Sequence, residues 1–197
     1  GFTTEYQKLL LKPVGDDFEY PYNQHNATVL PDSDQDLNTI DLMVFDNGAS
    51  RNEFNPTKGD QALYSRIVVY RIDESNHTVK QLWQYGKERL ELYSSARGGA
   101  MLLNNGNTLG VFTIDEDKDD IKTNHVVYVE VDPAGNVVWE AVASSSNSSN
   151  LYIEYKAERY PMYTAVTYEF DLDADVSVLL PEDLMKNLFE YNQSLSS

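Results

Sequence analysis

Val69-Tyr70-Arg71-Ile72-Asp73, a polar loop and Val79-Lys80-Gln81-Leu82-Trp83 are echoed further on by Tyr128-Val129-Glu130-Val131-Asp132, a second loop and Val137-Val138-Trp139. Both stretches are dense in β-branched and aromatic residues, which suit a pleated, half-buried surface. Each reads as a pair of strands joined by a hairpin and closing on a tryptophan. Working outward, the first pair is preceded by strand candidates at Asn26–Leu30 and Leu37–Phe45, with Ser65–Asp73 and Thr78–Tyr85 completing a set of four. The second set runs Ser94–Leu103, the turn Asn104-Asn105-Gly106-Asn107, Thr108–Thr113, an acidic loop at Asp115–Asp120, Val126–Asp132 and Val137–Val142. Four-stranded units recurring at roughly 55–60 residues are the pattern of propeller blades. The expected fold class is therefore all-β, with one blade over 22–86, a second over 93–144, and closing strands with a short terminal helix over 145–197.

The flanks are simpler. Tyr6–Pro13 is a further strand candidate, and Gly15-Asp16-Asp17 a turn. Tyr152–Lys156 and Tyr163–Phe170 read as strands after the serine-rich run 144–150. Pro181 with Glu182 and Asp183 opens the terminal helix, on which Leu184, Leu188 and Tyr191 share a face. Propellers close with about four to eight blades, so two blades imply part of a larger propeller. The chain begins at Gly1-Phe2 rather than Met, in line with a piece of a longer protein.

Composition narrows the function. The chain has 197 residues, 15 Lys and Arg against 32 Asp and Glu, a formal net charge of -17, and no cysteine. That negative balance argues against a nucleic-acid surface, since phosphate binding needs an excess of clustered cations, and an anionic membrane is equally disfavoured. No run is long enough for a membrane-spanning helix. Without disulfides, stability must come from a packed core. Yet the cations are uneven. Arg51, Lys58, Arg66, Arg71, Lys80, Lys87, Arg89 and Arg97 crowd the window 51–97. Solvated strand faces explain such a cluster, and so does an anionic ligand.

No Ser/His/Asp order, glycine-rich phosphate loop or Cys/His zinc spacing is present. Asp32–Asp36, Asp115–Asp120 and Asp171–Asp175 alternate carboxylates, but Val176 stands where a calcium loop needs glycine. These runs read as solvated turns, and no metal or cofactor is expected. Among the three histidines, His77 falls in a hairpin loop and His125 at a strand start. His25 lies in Tyr22-Asn23-Gln24-His25-Asn26-Ala27-Thr28, ahead of Phe45-Asp46-Asn47-Gly48, a strand-end turn in which Gly48 takes positive φ.

Tyr22–Ala27, Val44–Gly48 with Arg51, Tyr64–Asp73 and Leu82-Trp83-Gln84-Tyr85-Gly86-Lys87-Glu88-Arg89 together resemble the bacterial arylsulfate sulfotransferases. The resemblance spans residues 22–89. It implies a six-bladed propeller, of which this chain is the C-terminal part. The implied activity moves a sulfuryl group from a phenolic sulfate ester to a phenol acceptor through a sulfohistidine. The nucleophilic histidine maps onto His25. The resemblance further implies an exported protein, in the periplasm or on the cell surface, and is compatible with a homodimer.

Chemistry fits that role. A neutral imidazole offers a lone pair near neutral pH, and a covalent intermediate splits the transfer into two easier steps. A phenol leaves poorly as its anion, so proton donation helps. The sulfuryl oxygens need cationic or N–H donors, as phosphoryl groups do. The family draws these helpers from a His-x-Asn segment, an arginine and another histidine ahead of the nucleophile. Residues 1–24 contain no histidine or arginine, so the 197 residues alone are expected to be inactive. Candidates for contacting sulfate within the chain are Asn47, Arg51, Arg89 and Arg97. The ordinary alternative is that such arginines cap carbonyls or pair with carboxylates. The rival to the enzyme is a non-catalytic propeller used for binding or scaffolding, because fold alone does not decide function.

Overall fold

Thr39–Asp46 (β3) shows how these strands are held. Met43 and Phe45 point to one face, Leu42 and Val44 to the other, and both faces are covered. A strand buried on both sides needs apolar residues at nearly every position, and this one has them. The computed structural model describes residues 4–54, 62–118, 121–144 and 154–159. Around β3 lie Gln24–Val29 (β2), Arg66–Asp73 (β4), Thr78–Tyr85 (β5) and Lys12–Val14 (β1), in the order β1-β5-β4-β3-β2. Neighbours are antiparallel except β1, which runs parallel to β5. Gly99–Leu102 (β6), Thr108–Lys118 (β7), Ile121–Val131 (β8) and Val137–Ser144 (β9) form a second antiparallel sheet in sequential order.

The two sheets share one core. Met43, Phe45, Ile67 and Tyr85 from the first pack with Phe112, Ile114, Val127, Val129 and Val131 from the second, joined by Leu92 from the connection between β5 and β6. The Phe45 and Phe112 rings meet at 5.0 Å in a tilted pair, each burial being worth about 2–3 kcal/mol. Gly110 sits where β7 approaches β4: a Cβ there would lie 2.7 Å from Cδ1 of Ile67. The opposite face of the first sheet is closed by Phe18 against Val44, Val68 and Tyr70.

All-β architecture therefore holds in the described residues, and the strand order expected from the sequence recurs in both sheets. Several details differ. Tyr6–Pro13 is not a strand: Thr4–Gln7 forms a helical turn and only Lys12–Val14 joins the sheet, at the edge, where Pro13 costs no ladder bond. Within the acidic run, Asp115–Lys118 is strand rather than loop. β7 continues to Lys118 and pairs with β8 through Asp115↔Asn124, Asp117↔Lys122 and Lys118↔Ile121. Nor do the two tryptophans correspond. Trp83 stands opposite Val69 and packs on the shared core, whereas Trp139 stands opposite Glu130 and is 50% exposed. Strand order, not tryptophan placement, relates the two sheets. Tyr155 and Lys156 lie outside any strand. The remaining closing strands, the serine-rich run and the terminal helix fall outside the described residues.

Candidate active site

His25 is placed by a stretch in which nearly every residue is tied down. The Tyr22 N–H donates to Oδ1 of Asp46 at 2.7 Å, and the Tyr22 carbonyl accepts from Gly48 N–H. Oδ1 of Asn23 accepts from Ser50 N–H, and Oδ1 of Asn26 accepts from Ala100 N–H at 2.7 Å, joining β2 to β6. Asn23 and Asn26 both adopt positive φ, 59° and 51°. Asparagine tolerates this region better than most residues. Between His25 and Thr28 the β2–β3 register slips by one residue, a bulge that re-aims side chains. Backbone strain and a bulge therefore bracket His25.

The ring itself is half-buried. Its Nδ1 lies 2.5 Å from Oδ1 of Asn47, and the ring of Tyr155 stands 6.2 Å away, tilted by 50°. Among the described residues Nε2 has no hydrogen-bond partner. Asn47 is fully buried. Its amide donates to the carbonyls of Ser94 at 2.7 Å and Arg97 at 2.8 Å. The Ser65 hydroxyl accepts from Ser94 N–H and lies 2.9 Å from the Asn47 carbonyl. Gly48 turns the chain at φ 73°, as the sequence suggests, and a Cβ there would strike the Tyr64 carbonyl at 2.2 Å.

Beneath this turn lies a buried polar network that sequence reading did not foresee. Asp46 and Arg66 are both fully buried. Oδ2 of Asp46 accepts from Nε of Arg66 and Nη2 of Arg51. Arg66 also reaches Gln81, Gln84, Tyr70 and the Glu19 carbonyl. Glu19 takes a hydrogen bond from the Tyr64 hydroxyl and pairs with Lys87. Burial pushes the Tyr70 hydroxyl up to about 12 and raises that of Tyr64 as well, so both stay protonated donors.

The four sequence candidates separate. Asn47 meets His25, but its two amide protons are already given to carbonyls. Arg51 is buried, with its guanidinium 4.0 Å from the Tyr64 ring and 5.0 Å from that of Tyr22. Arg89 lies past the end of β5, three strands from β2, and pairs with Glu91 and Glu140. Arg97 joins the site through its carbonyl, while its guanidinium pairs with Asp115 at 3.0 Å. Their charges are thus engaged by carboxylates within the chain. His77 sits in the β4–β5 turn and His125 in β8, opposite Ile114 of β7. The carboxylates of Asp32, Asp34 and Asp36 accept from their own loop. Glu19, Arg66, Ser65, Ser94 and Tyr155 join the site without having been among the candidates that the sequence singles out. Ser65 and Arg66 carry a signal only as part of the Tyr64–Asp73 motif, and Tyr155 only as an aromatic after a polar loop.

No helix among the described residues is long and apolar enough to cross a membrane. Over 105 residues, 45% of this chain and 16% of the relative, the sequence is 48% identical to a protein named arylsulfate sulfotransferase AssT from Lelliottia amnigena. Over 73 residues, 37% of this chain and 11% of the relative, it is 41% identical to a protein of the same name from Escherichia coli O6:H1. The chain thus spans a small part of the length of these relatives. The family model for arylsulfotransferase (ASST) matches residues 1–156, taking in both sheets and the whole turn that holds His25. On that match, the chain belongs to the arylsulfotransferase family.

Proposed function

We propose that this chain contributes the nucleophile of a sulfuryl transfer from a phenolic sulfate ester to a phenol, with His25 as the residue that carries the group. The observation behind the reading is the state of the ring. One imidazole nitrogen is held by Asn47 while the other has no partner among the described residues, on a stretch whose backbone is fixed at several points. A lone pair so presented meets the first requirement of nucleophilic catalysis.

Two half-reactions follow. A ring nitrogen bonds to sulfur as the S–O bond to the donor breaks, and that electron pair leaves on the phenol oxygen, which takes up a proton. The acceptor phenol then gives up a proton, its oxygen bonds to sulfur, and the N–S pair returns to the ring. One proton is taken up and one released, so the cycle balances. With Arg51, Arg89 and Arg97 engaged by carboxylates, contacts to the sulfuryl oxygens and protonation of the leaving phenol fall to residues of the wider protein. The two sheets are in this reading two blades of a larger propeller, exported from the cytoplasm, with β2 as an innermost strand.

The test uses the protein with the rest of its reading frame. Incubation with an aryl sulfate and no acceptor should add one sulfo group to the His25 peptide by mass spectrometry. His25→Asn should abolish both the adduct and phenol release. Full turnover in His25→Asn would sink the assignment. Binding of aryl sulfates with no release at all would favour a non-catalytic propeller.

A further inference from the structure

The Asn47 carboxamide is oriented by its surroundings. Its Nδ2 faces the carbonyls of Ser94 and Arg97. A backbone carbonyl only accepts, so the nitrogen end of the amide belongs there and Oδ1 faces His25. Oδ1 likewise only accepts. At 2.5 Å two lone pairs cannot confront each other, so the proton sits on Nδ1 of His25. A neutral imidazole protonated at Nδ1 carries its lone pair on Nε2. We infer that Asn47 is a positioning residue that holds His25 in the Nδ1–H tautomer, which makes Nε2 the atom that takes the sulfuryl group. The second half of this statement rests on the nucleophile reading above; the first does not.

The mount is rigid. Asn47 is fully buried, and the carbonyls that orient it belong to the 94–97 turn. That turn is closed by the Ser94 hydroxyl donating to the Arg97 carbonyl at 2.5 Å and tied to β4's entry by Ser65. Rotating the amide would leave buried carbonyls facing an oxygen, a costly arrangement.

A neutral amide also suits the chemistry better than a carboxylate. As the N–S bond forms at Nε2, the ring becomes cationic and keeps its proton on Nδ1, and the charge is balanced within the residue by the sulfo group. The Asn47 carbonyl solvates that cation without neutralising it. A carboxylate would make the ring more basic and so a poorer leaving group when the acceptor oxygen attacks sulfur. Nδ1–H never leaves during the cycle.

Long-range 1H–15N correlation spectra of the 15N-histidine-labelled protein, recorded with the ring neutral, test the tautomer directly. His25 should show a protonated Nδ1 and a pyridine-like Nε2, and Asn47→Ala should shift it toward the Nε2–H form. An Nε2–H ring in the unmodified protein, or one unchanged by Asn47→Ala, overturns the proposal. Should Asn47→Ala fail to fold, the site of the sulfo group decides: attachment at Nε2 supports it and attachment at Nδ1 overturns it. In a folded Asn47→Ala, kcat should fall about 10- to 100-fold with KM little changed, as when the partner orienting a functional imidazole is lost. An Nδ1–H ring that never takes up sulfate would remove the nucleophile reading and leave the role of Asn47 in place.

Discussion

Asp46 and Arg66 stand directly opposite each other on β3 and β4, both fully buried, with Nε of Arg66 donating to Oδ2 of Asp46 at 2.9 Å. Asp46 is saturated: its other oxygen accepts from Tyr22 and Gly48 N–H, and Arg51 takes a second place on Oδ2. Such a pair is stable because every lone pair and proton has a partner, not because of charge attraction alone. Removing one member leaves the other buried and unpaired. Arg66→Met is therefore expected to cost about 3–5 kcal/mol of folding stability, measured as a lowered urea midpoint with an unchanged slope. Asp46→Asn should cost somewhat less, since the amide keeps one acceptor oxygen.

Arg51 illustrates why a cation in a family motif need not touch substrate. It lies between two tyrosine rings with one nitrogen on Asp46. Stacking of a desolvated guanidinium on an aromatic face is worth about 2 kcal/mol, and the planar group is what fits the slot. Arg51→Lys should destabilise nearly as much as Arg51→Met, because a lysine ammonium cannot fill the slot. Thermal unfolding of the two variants checks this. A lysine variant as stable as the parent would mean that charge alone matters.

Asp41 gives a pH signature on the same sheet. Hydrogen bonds from Arg71 above all, opposed by burial and aided by the Ser33 hydroxyl, hold its carboxyl below the usual range. A carboxylate with a depressed folded pKa adds stability that is complete above its unfolded pKa of about 3.9, and that fades as pH falls through the folded value. Asp41→Asn should thus lower stability by about 1 kcal/mol at pH 7, a figure kept small by the solvent that reaches Arg71. The gap between the two proteins should close below about pH 4. A gap that stays constant down to pH 2 would show that Asp41 acts through packing.

The parts legible in the sequence were those set by neighbours along the chain. β-branched runs marked β4, β5, β8 and β9, and Asp46-Asn47-Gly48 marked a turn with positive φ, because such signals are local. Partners far along the chain were hidden. Arg66 reads as a surface cation until Glu19, Asp46 and Gln81 close around it. Asn47 reads as a free polar side chain until the 94–97 turn arrives to take its protons. Asp115–Asp120 reads as a loop by charge alone, yet the hairpin ladder runs through it as far as Lys118. His25 stood out through its motif, and nothing local indicated which of its nitrogens would be held.

Asn26 combines two demands that a single substitution can separate. Its backbone lies at φ 51°, where a Cβ is disfavoured by about 1–2 kcal/mol, and its side chain accepts the Ala100 N–H that links β2 to β6. Asn26→Ala keeps the strain and deletes the bond; Asn26→Gly deletes the bond but relieves the strain. The alanine variant should therefore fall below the parent by the value of the lost bond, about 1 kcal/mol, while in the glycine variant the relieved strain offsets much of that loss and leaves it about 1 kcal/mol more stable than the alanine variant. Chemical denaturation of the three proteins gives the ranking. Alanine and glycine variants of equal stability would mean that the bulge relaxes when its link to β6 is cut, and the backbone next to His25 would then be held by that hydrogen bond alone.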